Sequence, residues 1–193
     1  MLNTFVHYPE GELARLIFHE LSHQVVYLKG DSTFNESFAT AVEEVGVERW
    51  LAARGDPAVT ANYRAFAQRR QQFVALLRRH KAALEAVYAS QPDDAARRAG
   101  KAEVFAALQA EYRALKASWG GYAGYDRWFA QQPLTNAHLA SVATYNALVP
   151  GFRILLAEQG ADLRRFYDAV RALAREDAPE RQRRLGGGAP ADG

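Results

Sequence analysis

From Glu10 to about Leu28 the apolar positions Leu13, Leu16, Ile17 and Leu21 recur at helical spacing, which predicts an amphipathic helix with one buried stripe. Residues 29–32 interrupt it with Lys-Gly-Asp-Ser. Ser32 or Thr33 is a candidate cap for a second helix from about Phe34 to Ala53, ending near Gly55. Asp56-Pro57 places a capping acceptor before a proline suited to the first helical position. The helix it opens extends to about Ala89, with Phe66, Phe73, Val74, Leu77, Leu84, Val87 and Tyr88 in period. A further helix spans Asp93 to Ser118 on Val104, Phe105, Leu108, Tyr112 and Leu115. The short Ser90-Gln91-Pro92 turn predicts that these two long helices pack antiparallel.

Beyond residue 119 the texture changes. Gly120-Gly121-Tyr122-Ala123-Gly124-Tyr125 reads as a loop, followed by a short helical turn over Asp126 to Ala130. Thr135 is placed to cap a helix reaching Glu158, which Pro150 should kink or interrupt. The last helix runs from about Ala161 to Arg175. Residues 178–193 are dominated by charge, glycine and alanine and are expected to form a disordered tail. At the other end, Thr4 to Tyr8 is β-prone and stops at Pro9, suiting a short strand or an extended lead-in. The expectation is a mainly α fold with little or no sheet, its ordered domain covering residues 1–177.

Composition narrows the chemistry. The 193 residues carry 24 basic and 22 acidic side chains, five histidines and no cysteine. Disulfides, thiolate metal sites and cysteine nucleophiles are therefore excluded, and any metal must be held by histidine and carboxylate. The near-balanced charge gives no basic field. The pairs Arg69-Arg70, Arg78-Arg79 and Arg97-Arg98 read as solvated helix faces, so no nucleic-acid partner is expected. No apolar run approaches the ~20 residues a membrane span needs. The first residues also lack a basic n-region and an apolar h-region.

One motif stands out on the first helix: His19-Glu20-Leu21-Ser22-His23, an H-E-x-x-H pattern. Residues i and i+4 lie one above the other on a helix, so His19 and His23 can bind one ion. Glu20 lies off that line yet near the open metal position, as a general base for a metal-bound water should. Zinc suits such a site. The extended pattern with glycine and a third histidine is ruled out, because those positions hold Val26 and Lys29. The third ligand is then a downstream carboxylate: Glu36, in Asn35-Glu36-Ser37-Phe38-Ala39-Thr40, or else Glu43 or Glu44 two turns on. Glu43 shares the face of Glu36 and could instead hydrogen-bond a ligand histidine.

H-E-L-S-H-Q followed by N-E-S-F-A-T resembles the gluzincin metallopeptidases, especially the aminopeptidase N-like zinc enzymes. The spacing between the two segments is shorter here than in those enzymes. Adding L-A-S-V-A-T-Y-N-A-L-V-P-G-F, the sequence is more fully similar to a family of bacterial zinc aminopeptidases. The resemblance implies zinc bound by His19, His23 and Glu36, with Glu20 as base, acting on a peptide substrate from its N-terminus. Family members are usually longer, often with a lipoprotein-type signal. The resemblance thus implies an upstream region before the 18 residues that precede His19, and a periplasmic or lipid-anchored setting.

Peptide hydrolysis also needs a donor for the developing oxyanion. Tyr145 is the first candidate, because it lies in the family-like segment. Tyr125 follows, with Tyr122 and His138 behind; His138 and Tyr145 are two turns apart and aligned, whereas Asn136 is not. His7 and His80 are expected at the surface, with His7 able to line a cleft. A different class of function is also compatible with the pattern: a helical binding or assembly module, built on the long pair over 57–118, with a structural or vestigial zinc site.

Overall fold

The computed structural model describes residues 8–91, 93–130, 134–139 and 147–186. The fold is mainly α, and no strand occurs among the described residues. The helices are α1 (Glu10–Val25), α2 (Ser32–Arg54), α3 (Pro57–Ser90), α4 (Asp94–Ser118), α5 (Asp126–Ala130), α6 (Val149–Glu158), α7 (Leu163–Leu173) and α8 (Ala178–Gly186). No helix among the described residues is long and apolar enough to cross a membrane. The proposed lead-in strand over 4–7 lies outside the described residues; Tyr8 is exposed in a bend.

The chain forms two compact units. One comprises residues 1–64 and 144–193, the other residues 65–143. In the first, α2 packs between α1 and α6, and α6 also meets α7 and α8. Phe34 and Phe38 of α2 close on Phe152 of α6 and Phe166 of α7, with ring centroids 5.2 Å apart for Phe34–Phe152 and 5.9 Å for Phe38–Phe166. All four rings are fully buried. Proline at position 150 marks an interruption rather than a kink: residues 147–148 are a turn, and the proline sits in the first turn of α6, where its missing N–H has no intrahelical acceptor to lose. Before α6, residues 135–139 and 147–148 of the predicted 135–158 helix are described, and 136–139 are helical.

The second unit holds most of α3, together with α4 and α5. Val87 lies against Gly100 near the turn, and Phe73 meets Tyr112 further along, so the two helices run antiparallel as the short connection implied. Its core is Phe73, Leu76, Leu77, Leu84, Phe105, Leu108 and Tyr112, with Leu134 and Leu139. His80 corrects an expectation. It is only 6% exposed, and its Nε2 is 3.2 Å from Glu111 Oε1 on α4.

Two further corrections concern the first unit. Residues 178–186 are helical, not a disordered tail: Asp177 caps α8 by accepting from Glu180 N, and Leu185 is buried against α6 at Gly151. A single apolar anchor in a run of charge was too weak a pattern to reveal this. The predicted apolar stripe of α1 is also only half-covered. Leu13 and Leu16 are partly buried, but Ile17 is 48% and Leu21 56% exposed. Gly11, Glu12 and Ser22 are the buried positions of α1. The helix turns its polar face toward α2, because that face carries charges and imidazoles for which α2 supplies partners.

The approach of α1 to α2 depends on Gly46. A Cβ at that position would lie 2.6 Å from Phe18 Cγ, well inside contact distance and at the rigid base of the ring. Gly46→Ala is expected to destabilise the first unit. Overpacking of this kind costs about 1–3 kcal/mol, offset in part by the ~1 kcal/mol that alanine gains over glycine inside a helix. A thermal melt should show a lowered Tm; an unchanged or raised Tm would mean that α1 can shift without loss.

Candidate metal centre

His19 and His23 lie one turn apart on α1, with ring centroids 5.1 Å apart and ring planes nearly perpendicular. Glu36, in the second turn of α2, faces both. Its Oε2 is 3.3 Å from His19 Nε2 and its Oε1 is 3.9 Å from His23 Nε2. One ligand atom from each of the three residues falls within 4.8 Å of the others. Donors around a tetrahedral ion with bonds of about 2.0–2.1 Å stand roughly 3.3 Å apart. The three side chains could therefore close on one ion with small rotations. His23 Nδ1 is buried without a hydrogen-bond partner, so no hydrogen bond there fixes which nitrogen of this ring carries the proton. Two imidazoles and a carboxylate form a donor set that suits zinc among the divalent ions.

The loop between the helices sets the position of Glu36. Asn35 clamps the backbone of Leu28 in both directions: its Nδ2 donates to Leu28 O and its Oδ1 accepts from Leu28 N, each at 2.8 Å. Asp31, rather than Ser32 or Thr33, is the N-cap of α2, accepting from Phe34 N at 3.0 Å. Arg181 of α8 donates to the other Asp31 oxygen at 2.9 Å, so the C-terminal helix braces the same loop.

Glu43 is 5% exposed, and its Oε2 lies 2.9 Å from His19 Nδ1. Arg15 Nη1 donates to that same oxygen at 2.7 Å, and Arg15 Nε donates to Glu12 at 3.1 Å. Burial disfavours charge on His19. The hydrogen bond to Glu43 and the negative charges of Glu43, Glu36 and Glu20 outweigh it, holding the ring above its ordinary value of 6.5. Burial likewise acts against charge on Arg15, and Glu43 and Glu12 overcome it.

Other sequence candidates fall elsewhere. Glu20 is exposed next to His19, close enough for its charge to act on that ring. Glu44 turns away from the centre and accepts both Nε (2.8 Å) and Nη2 (2.6 Å) of Arg153. Tyr145 and His7 lie outside the described residues. Tyr125 belongs to the second unit, its ring stacked on Phe73 with centroids 4.0 Å apart. Tyr122 packs edge-on against it. His138, also in that unit, accepts from Thr135 N at 3.0 Å, and Asn136 donates to the Tyr88 hydroxyl. Sequence reasoning passed over Arg15, although it sits one turn before His19 on the same line. It also passed over Tyr27, which is exposed with its ring edge-on to His23 at 6.3 Å between centroids.

The arrangement is that of a helix pair presenting two imidazoles and a carboxylate to one point, with a free carboxylate alongside. A sequence model of the family described as "Putative aminopeptidase" matches residues 1–185, and the chain belongs to that family. No curated protein matches the chain, and no solved structure does.

The raised His19 value has a signed consequence. A group held above its unfolded value of 6.5 contributes stability that is complete below pH 6.5 and is lost as pH rises through the folded value. A metal ion bound there would compete with the same proton, so metal affinity would move the opposite way. Metal-free protein should lose Tm as pH rises from below 6.5, whereas the stabilisation added by metal should grow. Thermal melts across pH, with and without metal, check this. His19→Gln should flatten both trends; equal slopes in the variant and the wild type would remove His19 as their source.

Proposed function

We propose that the chain hydrolyses peptide bonds as a zinc-dependent aminopeptidase of the gluzincin type. The observation that carries this reading is the convergence of His19, His23 and Glu36 within one ion's reach, beside the exposed Glu20. When bound there, zinc acts as a Lewis acid that makes water a nucleophile near neutral pH and polarises a carbonyl. His19, His23 and Glu36 would hold it through two imidazole nitrogens and a carboxylate oxygen. Glu20 takes the proton of the attacking water and passes it to the leaving amine nitrogen, so one carboxylate serves as base and then as acid. Its exposure suits this role, because a group that exchanges protons with water and substrate has to be reached by both. The family to which the chain belongs supports peptides as the substrate class and attack at the N-terminal residue.

The test is a comparison of wild type with Glu20→Gln, by elemental analysis and by release of free amino acid from short peptides. Both proteins should carry one zinc per chain, and activity should fall by roughly 10²–10⁴-fold in the variant, the usual contribution of a general base. Substoichiometric zinc in the wild type, or turnover indifferent to Glu20→Gln, would refute the proposal.

A further inference from the structure

To present a fixed lone pair a ligand imidazole needs its other nitrogen held, since a neutral ring carries one N–H and that hydrogen's acceptor decides which nitrogen offers the lone pair; His23 Nδ1 has no such partner. His19 meets that need through Glu43, a buried carboxylate two turns beyond Glu36 on α2. Glu43 does not stand alone. The Oε2 that meets His19 Nδ1 also receives Arg15 Nη1 at 2.7 Å, and Arg15 Nε reaches back to Glu12 Oε2 at 3.1 Å. Glu12 and Glu43 are both buried, and Arg15 is the cation they share. Arg15 is on α1 and Glu43 on α2, so the chain of contacts crosses the interface at the level of His19.

We propose that Arg15 is a positioning residue for the metal centre. It fixes the Glu43 carboxylate so that His19 keeps its proton on Nδ1 and points the Nε2 lone pair toward Glu36 and His23. The inference rests on the reading of those three residues as a metal centre. A carboxylate only accepts, so a Glu43 held in place can receive Nδ1–H and cannot favour the other tautomer. The guanidinium suits the task because its fork grips two acceptors at once. Nη1 and Nε engage Glu43 and Glu12 simultaneously, which a lysine ammonium on a flexible stem does not reproduce. The line of residues 15, 19 and 23 on one face of α1 gives the clamp and both imidazoles a common helical frame.

The experiment compares wild type, Arg15→Met, Arg15→Lys and Arg153→Met. The last removes the Arg153–Glu44 pair between α2 and α6 and serves as the control for loss of an inter-helix ion pair away from His19. Three quantities are read: the His19 tautomer in metal-free protein, by nitrogen-15 NMR above the ring's pKa; the zinc Kd, by chelator competition; and the Tm. Wild type and Arg153→Met should show the same predominance of Nδ1–H and equal zinc Kd, even if Arg153→Met melts lower. Arg15→Met should show mixed tautomers and bind zinc about 10–100-fold more weakly, the usual effect of removing support behind a ligand. Arg15→Lys should fall between them, and it stands in for Arg15→Met if that variant does not fold. The proposal is overturned if the Arg15 variants lower Tm yet leave tautomer and zinc Kd at wild-type values, for Arg15 is then only a strut. A wild type that fails to bind zinc overturns the metal reading itself, and the tautomer comparison in metal-free protein still decides whether Arg15 sets the ring.

Discussion

Helix α1 buries its polar side, and the charges it puts there have to meet opposite ones, on α2 for Arg15 and His19 and within α1 for Glu12. Glu12, Arg15 and His19 occupy that side, and Glu43 and Glu36 answer from across the interface. Such an interface is stable only while its hydrogen bonds are complete. An unpaired buried carboxylate or guanidinium costs more than the pair returns, so a partial set of contacts is worse than none. Gly46 lets the helices come close enough for those bonds to form, with Phe18 filling the space beside it. Specific polar pairing therefore fixes the register of the two helices, and the same register brings the two histidines and Glu36 together.

Two supports lie outside that interface and both act on the connecting loop. Asn35 satisfies the N–H and C=O of Leu28 with one amide group, which makes the loop a fixed spacer. Arg181 holds Asp31 from α8, with its guanidinium also lying over the ring of Phe34 at 5.8 Å. Glu36 follows Asn35 directly in sequence. Its position is thus set twice, once by the cap that starts its helix and once by the clamp on the loop before it.

The parts of this molecule that were legible in the sequence are those encoded at short range. His19 and His23 show themselves by a spacing of four on a helix, and the long antiparallel pair by two apolar periods around a proline turn. Gly55 marks the end of α2 by adopting a left-handed φ of 66°. What depends on distant partners was not legible. The buried side of α1 looked to be its apolar stripe, because a stripe can be read within one helix, whereas the partners of Arg15 and His19 lie on α2. The tail looked disordered because α8 holds only Leu185 as an apolar anchor, and the Arg181–Asp31 pair spans 150 positions. The role of Asn35 was hidden for the same reason: a backbone clamp has no sequence signature until the loop's path is known.

The division of the chain has a consequence for synthesis on the ribosome. The unit that carries the three candidate ligands is split, with residues 65–143 inserted between its first part and its last. At ordinary elongation rates, on the order of ten seconds pass between the emergence of α2 and that of α6. During that interval Phe34 and Phe38 have no α6 or α7 rings to cover them, although the imidazoles and Glu36 are already present. The nascent chain thus offers its candidate metal donors before its core can close. An ion captured at that stage would join α1 to α2 ahead of the packing that later encloses them.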